Sequence, residues 1–595
     1  MKLLRLKIND PNGFRSLPCG FEHHFRSEWS LQEEQSNKEG FAPFVCAGPN
    51  GSGKSNLLEV LGAIFYQLEI LRVRRSFLPE VLESIGEELS PAAFELDYLI
   101  RVPKAYRLSE SPIWAKVSVW KNEGETVRFL WENQSDFDTN ISEVFGSGYA
   151  DILLPQYVLG YSSGENEILS LPFFKMRFIQ FDEYWNALSQ QLPYSGYPET
   201  RMAFLDNSFS QAILLCNLLF QDEDTLQPFR EDVGIEALKE FRIILRRSIW
   251  LTPEQLETFV SDNESQPQTL ESIIKDHPAL NAEEDELGNT RYSLNLLQLL
   301  EGNDKSSRMI SALKRCATLR YEDDSNDSLI LDYWVNAATK QTFRENFSND
   351  PLALFQAFQV LLTLNLFTVS EPLKADLYQS NSHYVSETVP TLASDERIMR
   401  FKFVRFSKEG CDEPLMLKEL SDGEHQLLHS LGLCLLFRNT NSMFLLDEPE
   451  THFNPDWRAN FISRLRQCFP KDSDANQEML ITTHTPFLIS DSKPEKVLIF
   501  KKDKTTREVS ISHPEYNTLG ASINKITMNT FDKRETIGAY AQGILDDLRF
   551  RFEQGGEEKA DLINEIHNQL GDSVEKLLLI KAILASEGSD NPEVE

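Results

Sequence analysis

The octapeptide Gly48-Pro-Asn-Gly-Ser-Gly-Lys-Ser55 sets glycines, a lysine and a hydroxyl at the spacing that cradles phosphate. Glycines let the backbone bend so that successive N–H groups point inward at phosphate oxygens. Lys54 is long enough to reach β- and γ-phosphates, and the Ser55 hydroxyl is a ligand for Mg2+. The apolar run 41–47 before the loop reads as a strand. The apolar-periodic stretch 56–71 after it reads as a helix, whose positive N-terminal end adds to the anion site. Asn50, Gly51, Ser52, Gly53, Lys54, Ser55 and Asn56 are therefore the candidate nucleotide contacts, with ATP and Mg2+ the expected cofactors.

A second set of reactive side chains lies 392 positions on (447 − 55). Ser442-Met-Phe-Leu-Leu-Asp-Glu-Pro-Glu450 reads as an apolar strand ending in adjacent carboxylates. On a buried strand Asp447 emerges beside the Mg2+, next to Ser55. Glu448 sits one residue further, where a general base polarises the attacking water. Acidic residues also cap strands at turns, but the apolar run ahead of Asp447 favours the chemical reading. Thirty-six positions beyond Glu448 (484 − 448), the run 478–483 ends in His484, then Thr485 and Pro486. A histidine at such a strand tip is expected to read the γ-phosphate. Between the two sets lies Leu420-Ser-Asp-Gly-Glu424, followed by Gln426 and an apolar helix to Phe437.

That last segment resembles the signature motif of the ABC-type ATPases, and signature, Asp447-Glu448 and His484 follow in the family's order. The resemblance implies that Ser421, Gly423 and Glu424 meet the γ-phosphate held by another protomer. Two ATPs would then be sandwiched in a head-to-tail homodimer. It also implies a Q-loop glutamine completing the Mg2+ shell, and Gln156, in Leu-Leu-Pro-Gln-Tyr-Val, is the candidate, against a plain surface loop. The opening strand to Gly13-Phe-Arg-Ser-Leu17, the stretch Asp447 to Pro455 and Ile481-Thr-Thr-His-Thr-Pro486 are similar to the RecF, SMC and OLD group. Asn454 stands where that group usually has histidine.

Three features compete and lose. Tyr161-Ser-Ser-Gly-Glu-Asn166 looks like a second signature and Phe178–Glu183 like a second carboxylate strand, but Arg177 and Gln180 interrupt that run. His425 and His429, four apart on a helix, have the spacing of metal ligands, yet no third ligand is evident and a packed face is favoured. Basic clusters at 72–75, 246–247 and 501–504 read as solvated faces rather than nucleic-acid contacts.

The chain has 595 residues, 41% hydrophobic and 25% charged, enough for two or more domains. Seven cysteines include no C-x-x-C pair, which points to reduced, cytoplasmic thiols. No run of eighteen apolar residues and no signal peptide is evident, so no membrane partner is expected. A net charge of −33 argues against broad wrapping of nucleic acid and for a basic partner.

The expected architecture is α/β: an ABC-type ATPase head, with a P-loop mixed sheet and a β-rich lobe, carrying a large mostly helical insertion and a helical C-terminal segment. Residues 1–150 form its first half, with Ala92–Val102 a strand and Trp114–Trp131 a hairpin turning at 122–124. Residues 151–395 are read as mainly helical, with helices at 201–221, 236–247 and 351–367 and loops at 281–288 and 321–327. The second half of the head follows at 396–530. A partner-docking helical segment with a disordered acidic tail closes the chain at 531–595.

Within the group, Gly160-Tyr-Ser-Ser-Gly-Glu-Asn-Glu167, the long insertion and the lack of a nuclease motif resemble the PtuA-type ATPases of Septu and retron anti-phage systems. That resemblance implies a separate HNH nuclease partner (PtuB-like) and, in retrons, a reverse transcriptase with its RNA–DNA hybrid. A RecF-like DNA-repair ATPase is the alternative. A transporter motor is disfavoured by the 367 positions (421 − 54) between Lys54 and Ser421.

Overall fold

Four short segments, apolar on both faces, form the middle of the protein. Phe44–Ala47, Glu478–Thr483, Ser442–Asp447 and Tyr157–Ser162 are buried at nearly every position, as parallel strands covered on both sides must be. A computed structural model describes residues 1–27, 31, 34, 41–73, 89–104, 107, 112–137, 150–163, 167–192, 194, 199–257, 259, 270–284, 290–381, 389, 392–469, 476–503, 505–531 and 537–586. In it these strands lie side by side in a seven-stranded sheet, whose edges are Val497–Lys502 with Val509–Ser512 on one flank and Met202–Phe204 on the other. All neighbours are parallel except the outermost pair, Val497–Lys502 with Val509–Ser512. The strand leading to His484 thus lies between the phosphate-loop strand and the strand leading to Asp447.

The helix Lys54–Ile70 follows the phosphate loop and is buried along most of its length. It shares a core with an antiparallel lobe ordered Glu22–His24, Lys2–Ile8, Phe94–Arg101, Trp114–Lys121, Arg128–Trp131. Phe94–Arg101 alternates strictly between buried and half-buried positions, and the hairpin pairs Val117 with Trp131, both as expected. The fold is the mixed α/β head with a β-rich lobe and helical C-terminal segment that the pattern implied.

The segment between the halves departs from its reading in several places. Glu236–Arg247, expected as a helix, is the strand Ile235–Arg246. Leu238, Phe241 and Leu245 do recur at helical spacing. Phe241, Ile243 and Leu245 also alternate inward, and strands Ser328–Trp334 and Met399–Lys408 pair with it on either side. Tertiary pairing thus overrides an ambiguous period. The expected loops at 281–288 and 321–327 overlap the strands Leu280–Glu284 and Leu319–Asp323. Of 201–221, only Ser210–Phe220 is α-helix, while Met202–Phe204 joins the central sheet. The sheet containing Ile235–Arg246 and Met399–Lys408 spans the boundary placed at 395. Pro351–Thr363 is helical as expected and packs on Ser210–Phe220, which in turn packs on Asp422–Leu436. The apolar stretch 351–368 is long enough to cross a membrane, yet half of it is buried inside the protein. All seven cysteines are free.

Helices Ala539–Gln554, Lys559–Gln569 and Val574–Ala585 occur where expected and share a small core of their own around Leu545, Leu562, Ile566 and Ile583. Residues 587–595 of the expected acidic tail lie outside the described residues.

Phe241 is fully buried and stacks on Tyr333 at 4.3 Å. Phe241→Ala should lower stability by about 3–5 kcal/mol, read as a lower urea midpoint, while the exposed Lys239→Ala leaves the midpoint within error.

Candidate functional site

The phosphate loop takes its shape from glycine. Gly48, Gly51 and Gly53 have φ of 147°, 72° and 98°, in the range that L side chains resist. A Cβ on Gly48 would also lie 2.4 Å from the Phe500 carbonyl oxygen. The Lys54 ammonium donates to the carbonyls of Gly48 and Pro49, each at 3.1 Å. Burial lowers its pKa, opposed by Glu448 and Asp447. The Ser52 hydroxyl is buried and has no hydrogen-bond partner among the described residues. A buried lysine, an unpartnered hydroxyl and left-handed glycines together fit a phosphate chain.

Ser55 and Asp447 meet as expected. The Ser55 hydroxyl donates to Asp447 Oδ1 at 2.8 Å. Thr482 donates to the same oxygen at 2.5 Å and Ser162 to Oδ2 at 3.4 Å. Burial pushes the Asp447 carboxyl up from its ordinary value, with the Thr482 and Ser55 hydroxyls opposing. An anionic oxygen beside a hydroxyl is the donor set that Mg2+ prefers.

Glu448 adopts a left-handed φ of 50°, which turns it off the strand line after Asp447. Its Oε1 lies 2.9 Å from His484 Nε2, both side chains being about one-third exposed. The hydrogen bond with His484 is the chief reason that the Glu448 pKa falls below its ordinary value. The backbone N–H of Glu448 donates to the Thr482 hydroxyl at 3.0 Å. The two residues expected to act on water and γ-phosphate are thus adjacent.

Ser421 caps the helix Asp422–Leu436 in a reciprocal box with Glu424: each backbone N–H donates to the other's side chain. Lys408 pairs with the same carboxylate, and hydrogen bonding to Lys408 and Ser421 holds the Glu424 pKa down against its burial. A Cβ on Gly423 would come 2.7 Å from the His452 carbonyl oxygen. His452 N–H in turn donates to Gln426 Oε1 at 3.0 Å. The signature helix is therefore clamped to the loop after Glu448. Asn454 caps the next helix by accepting from Trp457 N–H at 2.8 Å.

Gln156 is not a Mg2+ ligand. It precedes the strand Tyr157–Ser162, and its N–H and Oε1 both bond the backbone of Asn441, each at 2.8 Å. The parallel register pairs Ser442 with Tyr157 and Asp447 with Ser162. Gln156 therefore sits at the opposite end of the sheet, about 20 Å away at ~3.3 Å per residue. The far end of the same strand brings the Ser162 hydroxyl to Asp447, inside the segment that resembles a second signature; Gly164, Glu165 and Asn166 lie outside the described residues. Asn56 reaches Ser16 and Glu59, tying the loop to the β-rich lobe, and Asn50 is exposed. Phe178–Glu183 lies within a helix, Leu171–Ser189. His429 is buried, bonded to Ser210 at 2.7 Å and stacked on Tyr161, in keeping with a packed face.

Residues 308–490, from ahead of the signature to past His484, match the family model described as "AAA domain, putative AbiEii toxin, Type IV TA system". The matched stretch carries Asp447, Glu448 and His484, and the strands leading to them lie in one sheet with the strand that leads into the phosphate loop. Among solved structures, it is similar to the Smc head bound to the C-winged helix domain of ScpA, at 10% identity, covering 86% of this chain and 97% of that one with a TM-score of 0.32. The SMC head domain from Thermotoga maritima is similar at 11% identity, 87% and 100% coverage and a TM-score of 0.27. A Smc head domain with a coiled coil and joint from Pyrococcus yayanosii matches at 13%, 86% and 96%, with a TM-score of 0.28. These overlaps are distant.

A depressed pKa keeps Glu448 ionised further into acid. His484→Ala removes that support, so the acid limb of the pH–rate profile for ATP hydrolysis should move upward and kcat should fall. Gly423→Ala should break the contact with His452 and slow hydrolysis at least tenfold, with Mg-ATP binding at Lys54 preserved in a filter or fluorescence assay.

Proposed function

We propose that this chain is the ATPase subunit of an anti-phage defence complex, an ATP-dependent head-to-tail homodimer that scaffolds and regulates a separate HNH nuclease. The PtuA–PtuB pairing is the resemblance behind it, and in a retron form a reverse transcriptase with its RNA–DNA hybrid joins the assembly. The observation that carries the dimeric reading is how the site's groups are distributed. Ser55 with Asp447 and Glu448 with His484 are joined within one chain. Ser421 and Glu424 bond to each other, Glu424 also pairs with Lys408, and Lys54 bonds its own loop. The signature is thus preformed on its own cap, ready for the γ-phosphate of a second copy.

In this reading Lys54 and the loop N–H groups bind the phosphates, and Ser55 and Asp447 would hold Mg2+, which would supply positive charge against the developing phosphate charge. Glu448 takes the proton of the attacking water, and His484 orients both Glu448 and the terminal phosphate. ATP binding closes two heads and hydrolysis releases them, which changes what the bound nuclease can reach. The net charge of −33 weighs against a repair ATPase that grips DNA itself.

Glu448→Gln should keep ATP binding but slow hydrolysis by about 10²–10⁴-fold, leaving a dimer in Mg-ATP that sedimentation resolves from the monomer. Native mass spectrometry of the complex purified from its own host in Mg-ATP tests the partner. A stoichiometric HNH nuclease supports the defence role; a bare homodimer, or one carrying only chromosomal DNA, supports repair.

A further inference from the structure

Glu450 has no part in the chemistry above, yet it is only 3% exposed, two residues past Glu448. The Thr483 hydroxyl donates to its Oε1. That same hydroxyl accepts the backbone N–H of Thr485 at 3.0 Å. His484 lies between these two threonines, so the turn that carries it is closed by the Thr483 hydroxyl, and that hydroxyl is held by one carboxyl oxygen of Glu450. The Glu450 carbonyl accepts from Phe453 N–H at 3.1 Å and Arg458 Nε at 3.3 Å, which fixes the loop on the other side.

Two neighbouring contacts make the same crossing. Glu448 N–H meets Thr482 at 3.0 Å and the Glu448 carboxylate meets His484 at 2.9 Å. Glu450 with Thr483 is the third, and it is buried. Its other oxygen, Oε2, has no hydrogen-bond partner among the described residues. A buried, half-partnered carboxylate is costly when charged. Burial, with Glu448 adding in the same direction and Thr483 and Arg458 opposing, raises its pKa to about 7.

We propose that Glu450 is a positioning residue: acting through Thr483 and the backbone of Thr485, it sets the turn that aims His484 at Glu448. The proposal rests on Glu448 and His484 being the hydrolytic pair. A displacement of about 1 Å at reacting groups costs up to ~10²-fold in rate, so loss of this tie should appear in kcat rather than in ATP affinity.

The test compares Glu450→Ala, Glu450→Gln, Thr483→Val and the double variant Glu450→Ala/Thr483→Val in the full chain, reading kcat by phosphate release and Kd with a fluorescent ATP analogue. Glu450→Ala and Thr483→Val should each lower kcat at least tenfold with Kd within about threefold. Glu450→Gln keeps the acceptor and should recover most of that loss. The double variant should be no slower than the slower single one, because both act on one tie. Additive losses, loss of affinity with kcat intact, or a Glu450→Gln as slow as Thr483→Val would each overturn the proposal. Should Glu450→Ala not fold, Thr483→Val at full kcat overturns it alone. A wild-type chain that never hydrolyses ATP instead removes the underlying ATPase reading.

Discussion

Asp447 is where distant parts of the chain are held together. Its carboxylate takes hydrogen bonds from Ser55, Thr482 and Ser162, which arrive from three other segments of the sequence. That convergence depends on parallel register: Asp447 lies beside Thr482 on one flank and Ser162 on the other, and Thr483 lies beside Ala47 at the mouth of the phosphate loop. A slip of one residue in the strand 442–447 would turn Asp447 to the opposite face. Phe444 and Leu446 pack in one core and Met443 and Leu445 in the other, so the slip would force both cores to repack. The hydrophobic sheet is thus what places a carboxylate against a hydroxyl across 392 positions of chain (447 − 55).

From that anchor the site extends in two directions. Glu448 and His484 project from adjacent strand tips and meet because Glu448 takes a left-handed turn. The signature helix reaches the same loop through Gly423 and Gln426, both set against His452. A change at the phosphate end is therefore in physical contact with the surface that would face a second head. The inserted sheets do not stand apart from this. Met399–Lys408, which leads into the signature, pairs with Ile235–Arg246, and Lys408 itself pairs with Glu424.

Much of the site was legible in sequence because its residues sit at strand tips and loops with fixed spacing. The structure joins Ser55 to Asp447 and Glu448 to His484, and puts Lys54 at the end of the loop of left-handed glycines. Gln156 lies at the far end of its strand, which a short apolar run does not show until its register with 442–447 is known. Ser162 and Thr482 escaped notice because a hydroxyl carries little signal until its neighbour is known. The strand Ile235–Arg246 was misread for a related reason. Its apolar spacing satisfies both periods, and the strands that settle the matter lie 86 and 156 positions away, with Ile244 paired to Ile330 (330 − 244 = 86) and to Arg400 (400 − 244 = 156).

The central claim is that each ATP is finished by another protomer's signature, and mixing two inactive chains measures it directly. One chain carries Lys54→Ala, the other Ser421→Arg, and each alone should be inactive. In the mixed dimer both lesions fall in one composite site, leaving the other with an intact Lys54 and an intact Ser421. The account predicts that the mixture recovers ATPase activity, up to about a quarter of wild type if half of all dimers are mixed and each has one working site. A mixture as inactive as its components, with mixed dimers shown to form, would mean that signature and phosphate loop act within one chain.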